Sequence, residues 1–293
     1  MIDIITIVFQ QELYYLQIQA RSIEHYIDSD KIGKIYVVVN DDNSVCDLVD
    51  TKWWGSNQDK VCVIHRNYYG DAHFLDGWES QQYYKLACAA QAESDWSMCL
   101  DAKTWFINKF ESDKIFDEKG RVLFGTFPTI PVFKNAELVV EDFFKIDSKE
   151  VIGPGGVPFF FKNTEVRNLC EYLKSRGTNL FEYFTTNVKS PARLTEFMFY
   201  SGWIKFKHGT LHTLYADYCY YSVVNIADFE KYEFDNKFPL MQSHQTLTAS
   251  LHRSVYPALS ELQLQTWVDF LHSKNLIDNP ADTYQKLNIN TNI

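Results

Sequence analysis

An aspartate and a lysine follow a short apolar segment in the sequence Leu100-Asp101-Ala102-Lys103. Residues 97–100 are typical of a buried β-strand, so Asp101 is predicted to stand at the end of that strand. A carboxylate in this position could bind Mg²⁺ or Mn²⁺, or accept a hydrogen bond from a ribose hydroxyl. The ammonium group of Lys103 could instead balance the charge of a phosphate directly. The alternative is that Asp101 caps a turn and that Lys103 is solvated.

A helix is predicted for residues 76–92, immediately before that strand. Asp76 and Glu79 have the spacing of a capping box, which marks where the helix begins. Gln81 and Lys85 are four residues apart and therefore share one face of the helix. Lys85 could reach a phosphate or orient Asp101, and Gln81 could contact the same ligand. The alternative is an ordinary exposed helix face.

Glu196 is a charged residue among apolar neighbours, in the sequence Leu-Thr-Glu-Phe-Met-Phe-Tyr200. Partial burial would raise the pKa of its carboxyl group, and such a carboxylate could take a proton from a hydroxyl as a general base. The alternative is a glutamate in the first turn of a helix, where the helix dipole favours negative charge. His244 follows a proline-containing loop and is predicted to assist at a metal or diphosphate site.

Several common motifs are absent from the sequence. No Gly-x-Gly-x-x-Gly follows the first predicted strand, which disfavours a dinucleotide-binding enzyme, and residues 153–156 do not match a phosphate-binding loop. The nucleophile motif Gly-x-Ser-x-Gly is also missing. Six cysteines include no Cys-x-x-Cys pair, so a zinc framework is not indicated, and buried free thiols in a reducing compartment are expected.

Strands and helices alternate over the first hundred residues. Strands are predicted at residues 4–9, 34–40, 61–65 and 97–100, and helices at residues 12–26 and 76–92. This alternation predicts an α/β fold with a mixed, mainly parallel sheet flanked by helices. Ligands bind at the carboxyl ends of the strands in such sheets. The polar residues that follow these strands are therefore predicted to share one site: Gln10, Asn40, Asp41 and Asp101.

The second half of the chain has weaker patterns. Strands are predicted at residues 121–127, 159–161 and 215–224. Helices are predicted at residues 134–149 (with a loop), 166–175, 194–200, 244–255 and 260–274. Residues 153–158 are predicted to form a loop, and residues 288–293 a loose tail. The domain organisation predicted from these patterns is one main domain, residues 1–255, followed by a C-terminal helix and tail, residues 256–293.

The bulk composition narrows the classes of partner. The 293 residues carry a formal net charge of −10, which disfavours binding to a nucleic acid backbone. No apolar run is long enough to span a membrane, and the N-terminal segment lacks the features of a signal peptide, so a cytoplasmic protein is expected. Hydrophobic residues make up 46% of the chain, enough for a sizeable core.

Segments along most of the chain resemble a poorly characterised group of glycosyltransferase-like proteins from bacteria and phages. That group is assigned to a domain family of unknown function with a GT-A-like nucleotide-diphospho-sugar transferase fold. The resemblance covers about residues 2–255 and is most specific at residues 81–85 and 100–103. The segments that carry it are residues 4–10, 16–23, 38–41, 77–85, 100–103 and 195–197.

The resemblance implies a glycosyltransferase that moves a sugar from a nucleotide-sugar donor to a glycan or another hydroxyl acceptor. By this analogy Asp101 takes the place of the first aspartate of Asp-x-Asp, and Glu196 lies where an inverting base could act. Together with the residue types, this predicts the donor diphosphate near Asp101, Lys103 and Lys85, with Glu196 as the base. Gln10, Asn40, Asp41 and Gln81 complete the predicted donor site, and His244 assists at the diphosphate. Metal-dependent members of the GT-A class carry Asp-x-Asp, which holds Mn²⁺ or Mg²⁺. Lys103 replaces the second aspartate here, so the need for a metal stays open.

Two other functions remain open at this point. The first is a non-catalytic protein that binds a nucleotide-sugar or a glycan on a decayed transferase fold, which the missing second aspartate favours. The second is a sugar nucleotidyltransferase. It is less favoured because no glycine-rich loop bearing Arg or Lys follows the first predicted strand.

Overall fold

The computed structural model describes residues 1–70, 75–123, 131–147, 157–189, 191–216, 221–226 and 231–289. The strands are β1 (Ile2–Val8), β2 (Ile32–Val39), β3 (Val61–His65), β4 (Trp96–Asp101), β5 (Thr104–Phe106), β6 (Val122–Leu123), β7 (Phe159–Lys162), β8 (Tyr215–Ala216), β9 (Ser222–Ile226) and β10 (Thr246–Leu251). The helices are α1 (Leu13–Tyr26), α2 (Gly77–Gln91), α3 (Ser112–Ile115), α4 (Lys134–Phe144), α5 (Asn163–Ser175), α6 (Leu180–Asn187), α7 (Glu196–His208), α8 (Lys231–Met241), α9 (Glu261–Ser273) and α10 (Pro280–Ile289).

The central sheet has the strand order β3-β2-β1-β4-β7, in which β7 runs antiparallel to its neighbour and the others are parallel. Every residue of β1 is buried, including Asp3 and Thr6, as expected for a strand covered on both faces. Ile7 pairs with both Val38 and Asp101, so β1, β2 and β4 end at the same level. The predicted α/β class with a mainly parallel sheet flanked by helices is confirmed.

The direction of strand addition reverses between β1 and β4. The chain adds β2 and β3 on one side of β1 and then crosses back to place β4 on the other side. Because such crossovers are right-handed, α1 and α2 cover opposite faces of the sheet. The reversal leaves a crevice at the carboxyl ends of β1 and β4, which is where open α/β sheets bind ligands.

A smaller sheet continues directly from the central one. Its order is β5-β10-β9, with β10 parallel to β9 and antiparallel to β5. A second hydrophobic cluster fills the space between this sheet, α1 and the helices α8, α9 and α10. Trp105 of β5 packs on Trp267 of α9, with ring centroids 5.6 Å apart. The small sheet thereby ties the C-terminal helices to the end of β4.

Helix α7 crosses α4 at Gly202, where the two helices approach closely. A Cβ atom at this position would lie 2.3 Å from Val140 Cγ1 and 3.2 Å from Phe144 Cδ2. Gly202→Ala is therefore expected to lower the free energy of unfolding by about 1–3 kcal/mol, measured by urea denaturation. Lys205→Ala on the same helix is the control and is expected to change it by less than about 0.5 kcal/mol. Equal stability of both variants would contradict this account of the crossing.

Most of the predicted elements are confirmed, with small shifts at their ends. The helix predicted at residues 244–255 is wrong, because this segment contains β10 and a turn. The loose tail predicted from residue 288 is wrong at its start, since residues 288 and 289 belong to α10. Residues 124–127, 148–149, 153–156, 217–220 and 290–293, on which other predictions fall, lie outside the described residues. Within the described ranges, no helix combines the length and apolar character needed to cross a bilayer.

Candidate functional site

A cavity of about 670 Å³ opens at the carboxyl ends of β1, β2 and β4. This volume is within the usual range for small-molecule sites. The cavity is lined by the sheet edge (Phe9, Gln11, Glu12, Asp41, Asp101, Lys103), by α2 and its cap (Asp76, Gly77, Trp78, Gln81, Gln82, Lys85), by Val157, by the start of α7 (Thr195, Glu196, Phe197), and by the small sheet and the turn after it (Val223, Val224, Asn225, Ser250, His252, Arg253). The site thus lies at the strand reversal, where the fold alone predicts one.

Asp101 is the last residue of β4 and is held from both sides by lysines. Lys85 Nζ lies 3.1 Å from Asp101 Oδ1, and Lys103 Nζ lies 3.3 Å from Oδ2. Burial by itself would raise the pKa of Asp101, but the charges of Lys103 and Lys85 outweigh it and hold the pKa well below its usual range. The carboxyl group is therefore ionised at neutral pH.

Gln19, a fully buried residue of α1, secures the turn after Asp101. Its Nε2 donates to the backbone oxygens of Asp101 at 2.7 Å and Thr104 at 2.9 Å. Its Oε1 accepts a hydrogen bond from Thr6 Oγ1 of β1 at 2.8 Å. One side-chain amide therefore connects α1, β1 and the turn that carries Lys103.

Lys85 also forms an ion pair with Glu196, at 2.8 Å between Nζ and Oε1. Lys85 is 4% exposed and Glu196 is 1% exposed, so this pair is almost completely dehydrated. Thr195 begins α7 by accepting a hydrogen bond from Met198 N, which places Glu196 in the first turn of the helix. Both carboxylate oxygens of Glu196 are almost without exposed surface, and neither makes a hydrogen bond of regular geometry with the described residues. A buried carboxylate oxygen without such a bond can act as a proton acceptor once a ligand contacts it.

The pKa values of both members of this pair are raised, for different reasons. Burial raises the pKa of Glu196 and the charge of Asp101 raises it further, although Lys85 opposes both. Burial would lower the pKa of Lys85, but Asp101 and Glu196 together outweigh it and raise the pKa well above its ordinary value. Lys85 therefore stays charged. It was predicted either to reach a phosphate or to orient Asp101, and its contact with Asp101 favours the second role. A carboxyl group with a raised pKa is suited to general base chemistry.

Three lining residues near Lys103 were not predicted from the sequence. Burial raises the pKa of Glu12, against the opposing charge of Lys103. Burial, Lys103 and Arg253 lower the pKa of His252 to about 4, so its ring is neutral at neutral pH. Ser254 contacts His252 Nδ1 through its Oγ and also through its backbone N, at 3.3 Å. The backbone N–H can only donate, so the tautomer that matches this contact carries the proton of the neutral ring on Nε2. Arg253 is exposed, and its Nη1 donates to Gln11 Oε1 at 2.8 Å.

An aromatic surface lies at the N-terminal end of α2. The indole of Trp78 is stacked on Phe133, with centroids 6.0 Å apart. The guanidinium carbon of Arg193 is 4.8 Å from the Trp78 centroid and 5.6 Å from the Phe133 centroid. The capping box predicted for Asp76 and Glu79 is present and sets the direction of this first turn. Trp78, Gln81 and Lys85 then follow at helical spacing along the face that lines the cavity.

The structure brings six of the predicted site residues into the cavity lining: Asp41, Gln81, Lys85, Asp101, Lys103 and Glu196. Gln10 is exposed, and its backbone N–H donates to Asp41 Oδ2 at 3.0 Å. Asn40 is buried, and its Nδ2 donates to Ser80 Oγ at 2.7 Å. Its packing between β2 and α2 turns the side chain away from the lining.

His244 does not reach the cavity, contrary to the prediction. It is exposed and lies before the first residue of β10, whereas the cavity borders the opposite end of that strand. The histidine that lines the cavity is His252, directly after β10. The signal that could have located it is the alternation of Leu247, Ala249 and Leu251, which favours a strand and puts His252 at its carboxyl end.

The residues around Asp101 do not fit a divalent cation. Both carboxylate oxygens of Asp101 are paired with ammonium groups. Within the described ranges, no group of three or more His, Cys, Asp and Glu side chains is arranged to hold a metal ion. A metal ion bound to Asp101 Oδ2 would have to displace the ammonium group of Lys103 and would be repelled by its positive charge.

These features define an α/β protein with a polar, partly dehydrated cavity at the switch point of its sheet. The chain belongs to a family of unknown function, DUF6492, whose model matches residues 6–279. None of the curated proteins matches the chain.

Solved structures of glycosyltransferases align with the chain at low sequence identity. The galactosyltransferase LgtC, in complex with donor and acceptor sugar analogs, is 12% identical, with 97% of this chain and 100% of that chain covered and a TM-score of 0.43. Mouse xyloside xylosyltransferase 1 is 11% identical, with 85% and 98% covered and a TM-score of 0.40. The bifunctional glycosyltransferase WbbM is 10% identical, with 85% and 45% covered and a TM-score of 0.43. Alignments at these scores assign no activity to this chain.

Proposed function

We propose that this protein is a glycosyltransferase that uses a nucleotide-sugar donor and needs no metal ion. The observation that supports it best is the chain of contacts Lys103-Asp101-Lys85-Glu196 at the switch point of the sheet. Lys103, a cation that could bind a diphosphate, and Glu196, a buried carboxyl group with a raised pKa, both line the cavity, which supports the proposal. These are the two functions that transfer to a hydroxyl group requires.

In the proposed reaction, an acceptor hydroxyl oxygen forms a bond to the anomeric carbon of the donor sugar. The bond between that carbon and the phosphate oxygen breaks, and its electron pair leaves with the nucleoside diphosphate. The hydroxyl proton passes to Glu196, whose Oε2 lacks a hydrogen-bond partner among the described residues. Lys85 holds the carboxylate of Glu196 in place and is a positioning residue.

The diphosphate would be bound by groups at the ends of β4 and β10. Lys103 supplies an ammonium group, Arg253 a guanidinium group, and neutral His252 an Nε2–H donor. All three are donors without negative charge, and together they can offset the charge that develops on the leaving group. Lys103 takes the part that a metal ion plays in Asp-x-Asp enzymes.

The proposal is tested by the thermal stability of the protein with nucleoside diphosphates and nucleotide-sugars, each with MnCl₂ or with EDTA. One nucleotide class is expected to raise the melting temperature to the same extent in both conditions, because a ligand bound only by the folded state stabilises it. Lys103→Asp is expected to lose this response in EDTA and to regain it with Mn²⁺, since a second carboxylate would then replace the ammonium group. Lys52→Asp, an exposed position outside the cavity, is the control.

Three results would contradict the proposal in different ways. If no nucleotide stabilises the protein at millimolar concentration, the transferase function is excluded. Stabilisation of the unmodified protein only with Mn²⁺ would exclude the metal-independent site. Nucleotide-sugar binding without slow release of nucleoside diphosphate would instead indicate the non-catalytic binding protein.

A further inference from the structure

We propose that Trp78 is a stacking platform for a sugar ring of the acceptor, one ring beyond the ring that reacts at Glu196. The proposal rests on the transferase function for the identity of the reacting ring. The platform itself rests on the geometry of Trp78, Phe133 and Arg193 and on the position of Trp78 on α2. The ligand class that follows is an oligosaccharide rather than a single sugar.

One face of the Trp78 indole is occupied by the protein. The Trp78–Phe133, Trp78–Arg193 and Phe133–Arg193 distances are 6.0, 4.8 and 5.6 Å, which form a nearly equilateral triangle. If Arg193 and Phe133 lay on opposite faces of the indole, their separation would approach the sum of the first two distances. Both groups therefore lie on the same side of the ring.

Trp78 lines the cavity, whereas Phe133 and Arg193 do not, so the half-buried indole turns its other side to the cavity. Packing on Phe133 and Arg193 fixes the ring before a ligand arrives, which lowers the entropy cost of binding. A pyranose ring presents a face of C–H groups that complements the negative face of an aromatic ring. Gln81 lines the cavity one turn further along the helix, and its amide can bond the sugar hydroxyls. Gln82 is buried and its Nε2 donates to Trp78 O at 2.9 Å, which helps to fix the first turn of the helix.

The spacing along α2 sets the size of the acceptor. Trp78 and Lys85 are seven residues apart, which is about 10.5 Å along the helix axis. Lys85 contacts Glu196, so this rise separates the platform from the part of the helix face that meets the reacting group, and a disaccharide would span it. The contacts run from Lys103 through Asp101 to Lys85, and α2 continues from Lys85 to Trp78. This order separates the platform from the groups that bind the diphosphate.

The test is titration calorimetry of the full chain with lactose, maltose, cellobiose and N,N′-diacetylchitobiose, and with the corresponding monosaccharides. At least one disaccharide is expected to bind, and more tightly than its monosaccharides. Trp78→Ala is expected to weaken that binding by about tenfold or more, and Trp78→Phe by less, because a smaller ring keeps part of the stacking surface. Tyr68→Ala removes an exposed aromatic ring outside the cavity and is expected to leave binding unchanged.

Several outcomes would overturn the platform. The first is that no disaccharide binds at high millimolar concentration. The second is that Trp78→Ala has an unchanged melting temperature and binds the disaccharide as tightly as the unmodified protein. The third is a loss of nucleotide binding in Trp78→Ala, which would assign the ring to the nucleobase. Failure of the platform is separate from failure of the transferase. Nucleotide binding without saccharide binding overturns only the platform, and Trp78-dependent saccharide binding without nucleotide binding overturns only the transferase.

Discussion

Glu196→Gln is expected to lower the rate of sugar transfer by about 10²–10⁴-fold while leaving nucleotide binding intact. Glutamine keeps the shape of the buried side chain, but its amide cannot take the proton of the acceptor hydroxyl. The rate is measured as release of nucleoside diphosphate from the nucleotide-sugar that stabilises the protein most, with water or a saccharide as acceptor. Binding is measured as the shift in melting temperature produced by the nucleoside diphosphate.

Glu165→Gln is the matched control for this substitution. Glu165 is also buried, at 8% exposure, and it contacts Lys207 and Trp203 outside the cavity. Its replacement is expected to change stability without changing the rate of release. If Glu196→Gln and Glu165→Gln both retain the full rate, Glu196 is not the base.

Lys85→Met is expected to have the largest effect on stability, lowering the free energy of unfolding by about 3–5 kcal/mol. The substitution leaves Glu196 and Asp101 facing each other without the cation between them. A buried carboxylate without a counterion costs more than the original ion pair contributes, so the loss exceeds that of a surface pair. Urea denaturation followed by circular dichroism measures the change.

The stability deficit of Lys85→Met should also depend on pH. Glu196 already has a raised pKa, and removal of Lys85 removes the charge that lowers it. The folded variant then keeps a proton that the unfolded chain releases, so its free energy of unfolding decreases as pH rises. The deficit is accordingly expected to be larger at pH 8 than at pH 5.

Lys207→Met is the control, because it removes a lysine from Glu165 but leaves the hydrogen bonds from Trp203 Nε1 and Asn168 Nδ2. A smaller and less pH-dependent deficit is expected there. If Lys85→Met loses no more stability than Lys207→Met, the buried carboxylate of Glu196 is not stabilised by Lys85.

Local patterns were sufficient to predict the strands of the central sheet and the four members of the charged cluster, but not the contact between Lys85 and Glu196. The strands β1, β2 and β4 are mainly apolar, and the polar residues after them identify one edge of the sheet. Asp101 and Lys103 follow from that rule, and Lys85 follows from helical spacing on α2. The contact between Lys85 and Glu196 joins residues 111 positions apart and has no local signature.

The wrong assignments have a common physical cause. In residues 244–255, apolar residues recur every four positions at Leu247, Leu251 and Val255, which suits a helix, while Leu247, Ala249 and Leu251 also alternate as in a strand. The pairing of β10 with β5 and β9 selects the strand over the helix. This pairing is a tertiary contact, which local periodicity does not reveal. The predicted helix included His252 and Arg253, whereas in the structure they follow the carboxyl end of β10 and line the cavity.

The hydrogen bonds of Gln19 bear on the thermodynamics of ligand capture. Since one amide group secures both Asp101 O and Thr104 O, the backbone of the turn carrying Lys103 is held in one conformation without a ligand. Binding then needs no prior change to a rarely populated conformation of this turn. The apparent affinity is therefore not reduced by a low population of the binding-competent state. Association should then follow a single fast phase whose rate rises linearly with ligand concentration, without the plateau that a slow opening step imposes.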